Sequence, residues 1–263
     1  MALDKLVDST QLDACCTAEA NAIRAKTGGS SQIAFDWANS KGFADAIAAI
    51  PSGGGAIKGV TTLKISSTSE TSFAGSFPDL TVLQIDNLNT FSIQTIDITA
   101  GSAEIAVEAG GSGQAKGGAL KTIDLHGAKV VVSQVYGLRY RENLETINAK
   151  LRMTVTNTSN QFTSTTKLKD VLWQENKQTS VLCFASCPLL TDASLVSIAN
   201  GLSGTTVNTL TLHATPKARC ASIMGTVSQV TSGGETYDFF TADENGTVSL
   251  QSFITTTKGW TLA

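Results

Sequence analysis

The chain has 263 residues, 41% of them hydrophobic and only 16% charged, with a formal net charge of −3. That apolar share suffices for a sizeable core and excludes a wholly disordered chain, and the weak negative charge without a basic cluster excludes a sequence-independent grip on nucleic acid. Thr and Ser number 35 and 26, so hydroxyls stand where charges usually do, which favours strands and turns over a helical bundle.

Residues 2–50 differ from the rest. Leu3, Leu6, Val7, Ala18, Ala22 and Ile23 recur at helical spacing among Ala residues, and Thr27-Gly28-Gly29 reads as a helix stop. A second helix is expected over about 41–50, with Phe43, Ala46, Ile47 and Ile50 on one face and Pro51 ending it. Two such helices bury little apolar surface alone. Leu3, Leu6, Ile23, Phe43, Ile47 and Ile50 are therefore candidate docking residues. Ser52-Gly53-Gly54-Gly55 reads as a flexible hinge to whatever follows. No apolar signal region follows Met1, and no stretch reaches the roughly 18 apolar residues of a membrane span.

The run Ala22-Ile23-Arg24-Ala25-Lys26-Thr27-Gly28, then Ile33-Ala34-Phe35-Asp36, then 42–51 resembles a leader of phage and prophage virion proteins of Gram-positive bacteria. That resemblance implies a short helical module that docks to a particle and precedes a variable distal domain.

An apolar-x-x-apolar-x-apolar pattern recurs as Leu80, Leu83, Ile85; Leu120, Ile123, Leu125; Leu144, Ile147, Ala149; and Leu168, Val171, Trp173. The last three start 24 residues apart, within the 20–29 residues of leucine-rich repeats. Such a unit is a short strand whose alternate residues enter a solenoid core, and stacking is compulsory because no unit buries its face alone. Further alternation at Ile93, Ile96, Ile98; Ile105, Val107; Val130, Val132; and Met153, Val155 reads as strands on a second face. The first unit stands 40 residues before the second, across the Gly-rich 110–118, so regular coils are expected over about 120–190. Phe184-Ala185-Ser186-Cys187-Pro188-Leu189-Leu190 resembles the consensus of the bacterial surface-antigen type of leucine-rich repeat.

Beyond 190 the period is lost. A helix over about 193–202 capped by Asp192, a strand at 209–213, and a short helix over 217–224 opened by Pro216 are expected. A hairpin at Thr231-Ser232-Gly233-Gly234-Glu235, a turn at 243–246 and a last helix over 249–258 follow. This mixed region is read as the cap that a solenoid end requires. The tract 190–213 and the ending 258–263 again resemble the closing module of phage-encoded leucine-rich proteins.

Chemistry-bearing residues are few. His126 and His213 follow strands and carry no metal-ligand spacing, and 110–118 lacks the Gly spacing and the Ser or Thr of a phosphate loop. Cys15, Cys16, Cys183, Cys187 and Cys220 form no disulfide framework and read as structural thiols of a reducing compartment. Asp86, Asp97, Asp124 and Glu145 lie at or beside strands, where stacked coils bring carboxylates together as in a glycoside hydrolase. Tyr136, Arg139, Tyr140 and Trp173 are the residue types of binding hot spots and form the candidate surface contact.

The expected fold is mainly β with α caps: a helical docking anchor (1–51), a Gly-rich hinge (52–58), a leucine-rich-repeat-like β-solenoid (59–190) and an α/β capping region (191–263). The resemblance implies a non-enzymatic virion structural protein, made in the host bacterial cytoplasm. It is expected to dock to other virion proteins through 1–51 and to present the solenoid to a host cell-surface glycan or protein as a tail fibre or baseplate component. A capsid head-fibre or decoration protein, and a cell-surface polysaccharide hydrolase, are the alternatives. A homo-oligomer, with a trimer favoured, is expected, without cofactor, metal, nucleic acid or membrane insertion.

Overall fold

The computed structural model describes residues 56–66, 70–86, 88, 90–109, 118–133, 138–155 and 161–263. The docking residues Leu3, Leu6, Ile23, Phe43, Ile47 and Ile50, and Tyr136 of the candidate contact, lie outside them. What is described is mainly β, a solenoid of about five turns closed by a region of mixed strands and short helices.

Eight strands build the solenoid: β1 (Thr62–Ile65), β2 (Ser72–Phe77), β3 (Val82–Ile85), β4 (Thr95–Ala100), β5 (Ile105–Ala109), β6 (Thr122–Val132), β7 (Thr146–Met153) and β8 (Asp170–Trp173). All pair in parallel, along two flanks. On the first flank β2, β4 and the first halves of β6, β7 and β8 stack with Ile96, Ile123, Ile147 and Val171 in one row. On the second flank β1, β3, β5 and the second halves of β6, β7 and β8 stack, and Ile105, Val130, Leu151 and Trp173 share a row. These inward rows are fully buried, because alternate residues of a strand face opposite sides.

This register corrects two expectations. The triplet Leu80, Leu83, Ile85 belongs to the second flank, where Leu83 pairs with Leu63 and Val107. The unit equivalent to Leu120-Ile123-Leu125 is Ile93-Ile96-Ile98, and regular stacking begins at β1 rather than at about 120. Any short strand entering the core produces the same apolar spacing, so spacing alone does not say which flank a strand joins.

The corners explain how one chain serves both flanks. In β6 the register shifts between Asp124 and Lys129, where His126 and Gly127 adopt φ of 50° and 72°. A left-handed pair here turns the strand from one flank to the other, and glycine lowers the cost. At the opposite corner the repeat places Leu138, Phe162 and Phe184 in one buried column, and Leu144, Leu168 and Leu190 in another. Between them Arg141, Thr165 and Cys187 occupy the equivalent position, each with no exposed surface. Phe162 and Phe184 stack at 4.4 Å between ring centroids. Full burial of each such side chain contributes about 1.5–3 kcal/mol.

Backbone groups at the corners need partners once buried, and three glutamines supply them. Gln178 accepts from Met153 N and Trp173 Nε1 and donates to the carbonyls of Met153 and Ser180. Gln161 donates to the carbonyls of Val155 and Val181 and accepts from Cys183 N. Gln174 donates to the Val130 carbonyl and to Glu104. Arg141 donates to the carbonyls of Ile85 and Asp86, both at 2.9 Å, and so ties the fourth coil to the second. Burial pulls its pKa down to about 10, opposed by nearby Asp86, so it stays charged at neutral pH.

The cap starts with α1 (Asp192–Gly201), which lies along the open edge of β8. Its capping residue is Thr191, whose hydroxyl accepts from Ser194 N, rather than Asp192. Ser194 and Ser197 present their hydroxyls to Val171 N (3.0 Å) and Trp173 N (2.8 Å), standing in for a further strand. A Cβ at Gly201 would fall inside the Trp173 indole, so only glycine lets the helix rest there. Beneath, β9 (Leu182–Phe184), β10 (Thr209–Leu212) and β14 (Thr261–Leu262) form a parallel sheet. Helix α2 (Ala214–Arg219) contains Pro216 rather than starting at it, and His213 Nδ1 caps it by accepting from Thr215 N. The expected hairpin is β11 (Met224–Ser232) and β12 (Glu235–Ala242), with Gly233 and Gly234 at φ of 60° and 80°. Strand β13 (Val248–Ser249) extends the hairpin sheet, and the last helix is α3 (Leu250–Ser252) running into a π-helical segment at Phe253–Thr257. Asn200 fixes the hairpin to α1 by donating to the Phe240 carbonyl (2.9 Å) and accepting from Phe240 N (2.7 Å).

Candidate functional site

The outer face of the first flank carries the densest polar arrangement. Parallel register puts Asp97, Asp124 and Asn148 side by side on β4, β6 and β7, with Thr95, Thr122, Thr146 and Asp170 in the neighbouring row. Adjacent members of a row are about 4.8 Å apart, the spacing of strands in a sheet. His126 stands beside them, its Nε2 2.7 Å from Asp97 Oδ1. Asp124 Oδ1 accepts from His126 N and from Asn148 Nδ2, each at 2.8 Å. The first of these is an Asx-turn and holds the left-handed corner, so Asp124 builds the backbone as well as the surface.

Beside this row lies an open groove of about 370 Å³. Asp124, Thr146, Asn148, Asp170, Leu172 and Ser194 line it, across β6, β7, β8 and the start of α1. Leu172 is 40% exposed and supplies an apolar floor among carboxylate, amide and hydroxyl groups. The site therefore offers hydrogen-bond acceptors and donors repeated at one-coil intervals, next to an aliphatic surface.

Of the sequence-predicted contact residues that are described, Arg139 and Tyr140 meet and Trp173 stands apart from them. Trp173 is 2% exposed: it sits in the inward row, its indole edge-on to Phe184 and its Nε1 bonded to Gln178. It is a core residue and not a surface contact, as the alternation Val171-x-Trp173 requires. Arg139 and Tyr140 do meet, at half-buried positions. The guanidinium lies 4.2 Å from the ring centroid and donates to the Tyr140 hydroxyl. Tyr140 has φ of 59°, and its N–H donates to the Thr163 carbonyl, so this pair finishes a corner.

Of the four carboxylates considered for hydrolysis, Asp97 and Asp124 are neighbours. Asp86 is buried beside Arg141, 3.8 Å from Lys64 Nζ, and Glu145 pairs with Lys169 at 2.9 Å. Cys187 and Cys220 are buried with thiol pKa values pushed up by desolvation, Cys220 to about 11, which suits inert structural thiols. Among the described residues no group of three or more His, Cys, Asp and Glu side chains has the arrangement of a metal site. Stacking does bring Asp97 and Asp124 together, as expected of two of the four carboxylates, but Asn148 and the row itself escaped the sequence reading because its members lie 27 and 24 residues apart, in coils of different length. The one available signal is the shared Thr-x-Asp/Asn motif, which opens with Thr95-Ile96-Asp97, Thr122-Ile123-Asp124 and Thr146-Ile147-Asn148. Compared with family models, curated proteins and solved structures, the chain matches none.

Proposed function

We propose that the chain is a virion-borne recognition protein, docked to a phage particle through residues 1–51 and presenting the first-flank outer face of the solenoid to a host-surface glycan or protein. Two things support this reading: the leader resemblance, and a recognition surface of the right kind. The observation that carries the recognition part is the groove along Asp124, Thr146, Asn148, Asp170 and Leu172, open along its length and built from groups at a regular spacing. Glycans are bound by such repeated neutral and acidic hydrogen-bonding groups beside apolar surface. Weak contacts per copy become effective when many copies sit on one particle, as in a symmetric tail or baseplate assembly, for which a trimer is the expected unit.

The test is competition. Purified full-length chain should block phage adsorption to host cells, and Asn148→Ala with Asp170→Ala should lose that block without loss of thermal stability. Antibody labelling of particles places the chain on tail or on head, and labelling of the head moves it to the decoration-protein reading. Absence from particles removes the virion reading altogether.

The adjacency of Asp97 and Asp124 favours a second reading, a surface polysaccharide hydrolase, since retaining glycosidases hold two carboxyls about 5–5.5 Å apart. Release of reducing ends from host envelopes, abolished by Asp97→Asn and by Asp124→Asn separately, would establish it.

A further inference from the structure

On the second flank the hairpin β11–β12 folds back from the cap over the solenoid wall and leaves a cleft of about 200 Å³. Lys129, Lys150, Lys177, Glu175, Glu235 and Tyr237 line it. Lys129 on β6 and Lys150 on β7 are register partners with their side chains exposed on the same face. Like charges directly opposed on neighbouring strands are unfavourable. Neither lysine carries a hydrogen bond or ion pair to a described residue.

Of the other charges around them Lys177 and Glu235 offset each other, while Glu175 keeps its negative charge. Lys177 pairs with Glu235 at 2.8 Å. Tyr237 donates its hydroxyl to Glu175 Oε2 at 2.8 Å. Glu104, a further carboxylate, is held by Arg152 at 2.7 and 2.5 Å and by Gln174 at 2.8 Å. Arg152 first, then Gln174 and, more weakly, the Lys129 charge hold its pKa below the usual carboxylate range, against the opposing effect of burial. The cleft thus sets Lys129, Lys150 and Lys177 against Glu175 and Glu235, an excess of positive charge with Lys129 and Lys150 side by side, and Tyr237 and the glycine turn at Gly233 close one side.

We propose that this cleft is a second binding site, specific for a single oxyanion group, the phosphate ester or carboxylate of an acidic sugar, clamped between Lys129 and Lys150. An anion placed between the two ammonium groups replaces their repulsion with two charge-assisted hydrogen bonds. The volume lies below the ~300 Å³ at which pockets for whole drug-sized ligands begin, so the site holds one charged group of a larger molecule. The inference is independent of where the protein is carried and of what the first-flank groove binds.

The experiment is a two-dimensional NMR titration of the full chain with inorganic phosphate, glucose 6-phosphate, glucuronate and, as a neutral control, glucose. Saturable shifts centred on Gly233 and Tyr237 are expected with the anions and not with glucose. The double variant Lys129→Gln/Lys150→Gln should weaken binding about tenfold or more, the loss of two charged hydrogen bonds, with an unchanged melting temperature as the folding control. Response to both phosphates but not glucuronate assigns a phosphate ester, and the reverse assigns a carboxylate. No saturable shift from any anion, an equal response to glucose, or undiminished binding by the double variant overturns the proposal.

Discussion

The lower and upper coils of the solenoid reach the same cross-section by different means. In the lower coils β6 and β7 run 11 and 8 residues through both flanks, bending at a corner without breaking. In the upper coils each flank has its own short strand, β2 then β3 and β4 then β5, joined by a separate turn. On the first flank Ser72, Thr95, Thr122, Thr146 and Asp170 share a row, so the chain advances by 23, 27, 24 and 24 residues per coil. The buried core is nonetheless continuous from Ile65 and Leu83 down to Trp173. What a solenoid must repeat is the inward side chain, while loop length at the corners is cheap to vary. The lower coils look regular because their corner columns, Leu138/Phe162/Phe184 and Leu144/Leu168/Leu190, repeat as well.

The largest test of that difference is Phe184→Ala. The ring stacks on Phe162 and meets Trp173 edge-on at 5.6 Å, so truncation should cost about 3–5 kcal/mol in denaturant unfolding. A loss under about 1 kcal/mol would mean that the lower corner column does not hold these coils together. Next is Arg141→Ala, which removes the one buried cation reaching from the lower coils to Ile85 and Asp86. Stranding those carbonyls, with Asp86 beside them, should cost about 3 kcal/mol. Hydrogen exchange should show the loss concentrated at Asp86 N, which bonds the Ile65 carbonyl, rather than in β7 and β8. Uniform loss of protection would show that the upper and lower coils open as one unit.

The smallest effect concerns a buried cation of the opposite kind. Lys258 in the cap is buried, and its Nζ has no hydrogen-bond partner, facing the Phe253 and Tyr237 rings at 5.3 and 5.7 Å. Desolvation lowers its pKa to about 8, against the ordinary lysine value near 10.5. Below pH 8 both folded and unfolded chains hold the proton, and the folded state bears the full cost of the buried charge. Between pH 8 and 10.5 only the unfolded chain holds it, so stability rises with pH across that window. The melting temperature of the wild type should therefore climb relative to Lys258→Met from pH 8 to 10, and parallel curves would refute the assignment. Arg141 has carbonyl partners and keeps its charge, whereas Lys258, with no hydrogen-bond partner among the described residues, gives its proton up above about pH 8.

Those contrasts mark what the chain disclosed of itself. Alternation at Ile123, Ile147 and Val171 declared strands entering a core, and Ser232-Gly233-Gly234-Glu235 declared its hairpin, because both are local signals. The flank of Leu83 was not legible, since register depends on pairing with Leu63 and Val107, which lie 20 and 24 residues away. Arg139 and Tyr140 read as surface contacts, yet the adjoining Arg141 is buried at the position that Thr165 and Cys187 fill in the next coils. Trp173 was misread through its residue type when its alternation already placed it inside. The polar row of Asp97, Asp124 and Asn148 needed the coil lengths, which only stacking supplies.

The seam between β8 and α1 bears on how such a chain changes in length. Ser194 and Ser197 meet the N–H groups of Val171 and Trp173 through side-chain oxygens, and Ser194 returns a bond to the Lys169 carbonyl. Through these bonds the terminator takes up two edge amides and a carbonyl at the usual positions, which every coil above β8 also presents to its successor. A duplication or deletion of one 24-residue unit upstream leaves that junction untouched, so the reach of the protein is free to lengthen or shorten in steps of one strand spacing while the same end-piece keeps closing it.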